Sequence, residues 1–298
     1  MRKVQIITDS CSDLTPELMS RYHIDYAEMN TVSDGLTKPA DLSWTPAEVH
    51  EFYEKLRNGG RVTTTQVPVD VFNRVFRKYL DEGCDIVYVG CSLKQSGSVN
   101  TASVLAKKLM EEYLGSSIYC INSLRASISE GVLAIEAAKC AEQGVSAEEV
   151  AKHVESLRNH VFQYVTAHTL DHLRRAGRVK ASSAFFGNLL GVKPIIVADA
   201  DGVQAAYKKV KGRGSSLAEL VALLKADLVD PEKQTIYLWH ADCAEEEIET
   251  VKEIIRKEIP CKEVLTGYIG PIIGASIGPD AVAICGFGRE QTFRIGDK

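Results

Sequence analysis

No apolar run in this 298-residue chain approaches the roughly 20 consecutive residues that a membrane-spanning helix needs. Stable membrane insertion is therefore not expected. No Lys/Arg run stands out, and the formal net charge is -5. With that balance the chain has no electrostatic footprint for nucleic acid. The opening Met1-Arg2-Lys3-Val4-Gln5-Ile6-Ile7 lacks the apolar core of a signal peptide, so the expected location is cytoplasmic.

The eight cysteines stand apart, at 11, 84, 91, 120, 140, 243, 261 and 285, without a C-x-x-C pair. That spacing carries neither a zinc signature nor a disulfide framework, and no metal is expected. Cys84, Cys91, Cys120, Cys243 and Cys285 lie in or beside apolar runs and read as small buried hydrophobes of a reducing compartment. Cys11 lies in a Ser/Asp-rich turn, but no histidine is near in sequence to activate it.

Catalytic signatures are equally scarce. There is no G-x-x-x-x-G-K-[ST] loop and no G-x-S-x-G elbow. His168-Thr169-Leu170-Asp171-His172 has two histidines at i, i+4, but Thr169 stands where a zinc protease motif needs Glu. Gly286-Phe287-Gly288 has no helix after it to serve as a dinucleotide loop. No catalytic residue and no cofactor are expected.

What is present is an ordinary globular composition, 45% hydrophobic and 25% charged, with length for about two domains. In the first half, strands alternate with helices. Val4–Thr8 reads as a strand, and Thr15-Pro16 opens a helix. Ile24–Met29 is strand-like, and Thr45-Pro46-Ala47-Glu48 is a capping box for a helix to about Arg57. A helix starts at Pro68 with Val71, Phe72, Val75, Phe76 and Leu80 on one face. Strand 85–89, helix 98–113, strand 117–121, helix 124–142 and a helix capped by Ser146 follow. This order predicts a mostly parallel sheet covered on both faces. After 160 come strand 163–167, short helix 170–176, a hairpin of 193–198 with 203–209, helix 215–228, strand 235–239, helix 244–257, and strands 262–266 and 281–285. The predicted division is 1–160 and 161–298, both α/β.

Four segments rich in small hydroxyl and glycine residues stand out: Thr8-Asp9-Ser10-Cys11-Ser12-Asp13, Thr63-Thr64-Thr65-Gln66, Gln95-Ser96-Gly97-Ser98 and Gly270–Pro279. The first three fall where strands give way to helices. Backbone N–H groups and hydroxyls at such places hold a carboxylate or phosphate. Each also has a purely structural explanation. Asp9 and Ser10 suit an Asx turn, a Thr suits an N-cap, and Ser96 with Gly97 suits a helix entry. Arg174 and Arg178, around Gly177, complement a helix C-terminus or form a docking patch.

Together these segments resemble the DegV family of bacterial fatty-acid-binding proteins. Ile6–Leu14 is similar to I-T-D-S-x-S-D-L, and Thr64-Thr65-Gln66 to T-S-Q-P with Val67 inserted. Gln95–Asn100 is similar to L-S-G-T-Y-Q, and Thr169 to Val179 to T-L-x-x-L-x-x-G-G-R-I. Gly191–Ile196 is similar to G-x-K-P-I-L, and Gly270–Gly274 to G-P-V-I-G. The resemblance covers the whole chain. It implies two α/β domains with a long-chain fatty acid held between them, the carboxylate on Thr64 and Ser96 with help from Gly97. Thr65, Asp9, Ser10, Gly274 and Ser276 are the further ligand-binding candidates. The tail would enter an apolar tunnel, for which the candidates are Phe185, Phe186, Leu189, Leu190, Ile195, Ile272 and Ile273. It also implies a partner, a fatty acid kinase that converts the presented carboxylate to an acyl phosphate for phospholipid synthesis, with Arg174 and Arg178 at the docking surface.

The pattern departs from the family at Ser276, where the family's H-x-G-P-G has His, and at Gln95 and Val99. These changes leave open a different acyl chain, a different anionic lipid, or no kinase step. A hydrolase or phosphotransfer enzyme built on Asp9 is the rival reading. An acyl chain of roughly sixteen carbons gains on the order of 10 kcal/mol from burial before ordering costs, so two hydroxyls need only fix its head.

Overall fold

The computed structural model describes residues 2–181 and 191–295. The chain divides into two compact units. One consists of Met1–Ser43 with Thr64–Arg158, the other of Trp44–Thr63 with Asn159–Lys298. Relative to a single division at 160, the segment 44–63 changes sides.

The chain opens with β1 (Val4–Asp9), one turn of 3-10 helix (Ser10–Ser12), α1 (Pro16–Tyr22), β2 (Asp25–Ala27), β3 (Asn30–Ser33) and β4 (Leu36–Pro39). Helix α2 (Pro46–Arg57) belongs to the second unit. Next come β5 (Thr63–Thr65), α3 (Val69–Asp81), β6 (Asp85–Gly90), α4 (Ser98–Glu112), β7 (Ile118–Asn122), α5 (Ile128–Ala141) and α6 (Ala147–Leu157).

In the first unit the strands run β2-β1-β6-β7, all parallel. Helices α3 and α4 pack together, as do α5 and α6, and all four pack on the sheet. From their second residue on, β1 and β6 are wholly buried, as parallel strands covered on both faces are. β1 and β6 are neighbours in the same direction, so their carboxyl ends lie together, where open sheets gather ligands. A second small sheet has the order β4-β3-β5. Its β3–β4 turn is Asp34-Gly35, with φ of 53 and 76. Both signs suit the tight hairpin turn that matches strand twist.

The second unit continues with β8 (Val161–Thr166), α7 (Asp171–Ala176), β9 (Val192–Ala198), β10 (Gln204–Lys211), α8 (Arg213–Asp227), β11 (Thr235–His240), α9 (Glu245–Glu258), β12 (Glu263–Tyr268), α10 (Pro271–Ile277) and β13 (Val282–Phe287). Six strands run β10-β9-β8-β13-β11-β12. Only the β11–β12 pair is parallel. The core packs Leu217, Leu220 and Leu224 of α8 and Val251 and Ile255 of α9 on Ile236 and Ile284 of the strands.

Three expectations change. Helix α5 starts at Ile128 instead of 124, because Leu124 and Ser127 have φ of 58 and 59, which no right-handed helix accommodates. The glycine-rich Gly270–Pro279 contains a helix, with Pro271 at its first position, where a missing N–H costs nothing. Cys120 and Cys243 are only partly buried.

Candidate functional site

In the first unit, β5 presents Thr64 half-buried and Thr65 exposed. The chain then turns across the start of α4. The Val67 N–H donates to Ser98 Oγ at 3.1 Å, and Gln66 Nε2 donates to Thr101 Oγ1 at 2.8 Å. Ser96 Oγ accepts from the Ser98 N–H at 3.2 Å and lies 2.9 Å from Ser98 Oγ. A methyl group on Gly97 would collide with Gln66 Oε1. That contact is with the end of an exposed, flexible side chain, which a Cβ there would displace. The structure brings Gln66 and Val67 against Ser96, Gly97 and Ser98 at the first turn of a 15-residue helix, with Thr64 and Thr65 just upstream in β5. Ser96 Oγ takes the Ser98 N–H, and the helix dipole with the remaining first-turn N–H groups still makes that end favourable for a carboxylate.

Asp9 and Ser10 sit deeper. Both are fully buried. Ser10 Oγ donates to the Ala40 carbonyl at 2.8 Å and accepts from the Met29 N–H at 3.0 Å. Asp9 Oδ1 accepts from the Cys11 N–H at 2.9 Å. Its Oδ2 accepts from Tyr88 Oη at 2.5 Å and from the Cys91 N–H at 3.3 Å. Burial pushes the Asp9 carboxyl above the usual range, against these hydrogen bonds, which pull it down. Asp9 and Ser10 hold loops at the strand ends in register, the structural role an Asx turn predicts.

In the second unit, Gly274 of α10 lets α2 approach closely. A methyl group there would meet Tyr53 Oη at 2.5 Å and Phe52 at 3.0 Å. Tyr53 Oη donates to the Ile269 carbonyl at 2.7 Å, just before α10. Trp44, Phe52 and Tyr53 form an aromatic cluster with centroids 5.1 to 6.3 Å apart. Ile272 is buried, while Ile273 and Ser276 are half-buried. Ile195 belongs to the core of this unit. Phe185, Phe186, Leu189 and Leu190 lie outside the described residues. Arg174 and Arg178 are exposed. Arg174 lies 3.6 Å from Asp171, and Arg178 donates to the Ala176 carbonyl at 3.2 Å, as residues closing a short helix do.

The histidines of the 168–172 segment do not converge. His168 Nδ1 lies 2.7 Å from Lys193 Nζ. His172 packs against Gly278, where an added methyl would meet its ring at 2.5 Å. Burial, then the charges of Lys193 and Arg213, hold His168 below the ordinary imidazole range.

An ionic clamp holds the Gly278–Asp280 turn. Arg57 donates to Asp242 Oδ2 and to Asp280 Oδ1, each at 2.6 Å, and to the Asp242 carbonyl at 2.7 Å. Burial opposes its charge, but the Asp280, Asp242 and Glu54 carboxylates outweigh it and raise its pKa. Arg213 pairs with Glu247 and donates to the Asp280 carbonyl at 2.7 Å. The only sequence signal was an Arg in the last turn of α2.

A two-unit α/β protein with a hydroxyl-bearing helix entry after an inner strand of a parallel sheet is the class these features define. The DegV family model, described as one of uncharacterised proteins, matches residues 3–288. The chain belongs to the DegV family. It is 34% identical over 286 residues to a DegV domain-containing protein of Clostridium perfringens, covering 95% of this chain and 97% of that one. It is 31% identical over 295 residues to a protein of Thermotoga maritima named fatty acid-binding protein, covering 97% and 98%. A solved DegV lipid-binding protein of Thermotoga maritima superposes with a TM-score of 0.84 at 26% identity, covering 97% of this chain and 100% of that one. Among the described residues no helix is long and apolar enough to cross a membrane.

Proposed function

We propose that this protein binds a long-chain fatty acid and presents its carboxylate to a fatty acid kinase, with no catalytic group of its own. The observation that carries the reading is the packing of Gln66 and Val67 onto the start of α4, where Ser96 Oγ already accepts from the first-turn Ser98 N–H. Thr64, two residues upstream in β5 and half-buried, is the second hydroxyl candidate for the carboxylate. The names of the relatives point the same way, since the Thermotoga maritima protein is called fatty acid-binding. Ile272, Ile273, Phe185, Phe186, Leu189 and Leu190 are the candidates for the acyl chain. Arg174 and Arg178 are the docking residues for the kinase, which supplies ATP and magnesium.

The experiment is mass spectrometry of the purified protein, intact under native conditions and after organic extraction. A stoichiometric fatty acid, lost in Thr64→Ala/Ser96→Ala protein that remains folded, is the expected result. Unchanged occupancy in that double variant rejects the head-group assignment. A bound anionic lipid of another class gives Ser276, in place of the family's His, the deciding role in head-group choice. The kinase step is checked separately by acyl phosphate formation with an added kinase, which Arg174→Glu/Arg178→Glu should slow without changing lipid occupancy.

A further inference from the structure

The strand ends that Asp9 ties together also carry two cysteines. Cys11 follows β1 and Cys91 follows β6, 80 residues apart in sequence and neighbours through the parallel pairing. Asp9 accepts from both of their backbone N–H groups, one on each carboxylate oxygen. It thereby fixes where both side chains start.

Glu130 arrives from the first turn of α5. Helix and turn approach so closely at Gly131 that a methyl group there would lie 2.7 Å from the Ser12 carbonyl and 2.8 Å from Leu14. The Sγ atoms of Cys11 and Cys91 and a Glu130 carboxylate oxygen all lie within 4.8 Å of one another. Met29 Sδ lies 3.8 Å from Cys11 Sγ. Glu130 is 0% exposed. Thr8 Oγ1 donates to its Oε1 at 3.1 Å, while its Oε2 has no hydrogen-bond partner among the described residues. An unpaired carboxylate oxygen in the core is costly, and two thiols beside it supply no strong donor.

We propose that Cys11, Cys91 and Glu130 form a buried site for a thiophilic metal ion, with zinc as its occupant. Zinc takes Cys sulfur at about 2.3 Å and carboxylate oxygen at about 2.1 Å, which puts tetrahedral ligand atoms roughly 3.5–4 Å apart. The separations of at most 4.8 Å stand close to that spacing. Two thiolates disfavour magnesium and calcium, which take oxygen ligands. Copper(I) prefers sulfur alone and has no need of Glu130. Asp9 is a positioning residue, its oxygens occupied by the Cys11 and Cys91 N–H groups and by Tyr88 Oη.

The site is enclosed, so the ion loads as the chain folds. The test is the metal content, by plasma mass spectrometry, of gel-filtered full-length protein made in zinc-supplemented cells. Protein from cobalt-supplemented cells is read for tetrahedral cobalt bands and thiolate charge transfer. The expected result is one equivalent of zinc in the wild type and a thiolate–cobalt spectrum. Removing even an outer-shell partner of a metal ligand typically costs 10–100-fold in affinity, so Cys91→Ser and Glu130→Gln should each lower zinc content at least about tenfold. Cys140→Ser should leave it unchanged. Should the ligand variants fail to fold, the wild-type content and cobalt spectrum decide alone. Less than about a tenth of an equivalent in the wild type overturns the site, because ligand assembly by folding predicts stoichiometric loading. Copper retained in Glu130→Gln, or a Cys11–Cys91 disulfide in the purified protein, also overturns it.

Discussion

A methyl group on Gly278 meets two separate obstacles. Its φ of 82 with ψ of 178 is a glycine-only region, and the His172 ring lies 2.5 Å from where the Cβ would be. Gly177 has φ of 65 but open space around it. Gly177→Ala should therefore cost about 1 kcal/mol, the ordinary left-handed penalty. Gly278→Ala should cost at least about 2 kcal/mol, because backbone strain and displacement of a packed ring add. Urea unfolding of both variants checks the order, and adding His172→Ala should recover only the steric part. His240 carries a pH effect. Burial depresses its pKa to about 4, and its Nδ1 accepts from the Cys243 N–H at 3.2 Å, a role only the neutral ring fills. A depressed imidazole means that the unfolded chain binds the proton first. Stability is then full above about pH 6.5 and falls as pH drops toward 4. At pH 5 the loss is on the order of 1–2 kcal/mol. Denaturant midpoints from pH 7 to 4.5 should show this slope in the wild type and less of it in His240→Gln.

Helix starts were the most legible elements, since their chemistry is local. The capping boxes at Thr45 and Ser146 are formed as their S/T-x-x-E spacing requires. Ser146→Ala should cost about 1 kcal/mol by thermal unfolding, with α6 amides becoming less protected from hydrogen exchange. Elements whose identity depends on tertiary partners were harder to read. Helix α10 contains Gly274, which packing against Tyr53 demands although helix propensity opposes it. The β3–β4 hairpin has a local mark, Asp34-Gly35, a strong two-residue turn signal. The helix expected from 124 begins four residues later, because a left-handed Leu124 leaves no mark in the sequence.

At the scale of the whole molecule, the parallel sheet and the family were legible, because alternation and motif order are both one-dimensional. The cluster of Cys11, Cys91 and Glu130 was not, since its members come together only through strand pairing and helix packing. The Arg57 clamp was hidden for the same reason, with partners 185 and 223 residues away. A ligand that binds only the folded state raises global stability by mass action, about 2.7 kcal/mol at a hundredfold excess over its Kd. A long-chain fatty acid should accordingly raise the melting temperature of delipidated protein by several degrees. Thr64→Ala/Ser96→Ala should blunt the rise, and a short-chain acid should have little effect at equal concentration.

The exchange of segment 44–63 bears on how the protein can be cut. Helix α2 lies within the first 158 residues, yet Tyr53 is tied to Ile269, and Arg57 to Asp242 and Asp280. A fragment ending at 158 carries Val49, Tyr53 and Leu56, all buried in the intact chain, with their partners left on the other piece. The two halves made separately should therefore behave poorly, the first self-associating through that bare helix and the second lacking part of its own interior. Co-expressed, they should reassemble by strand-free complementation through α2, so a split-reporter pair cut at 158 should light up without any added dimerisation tag.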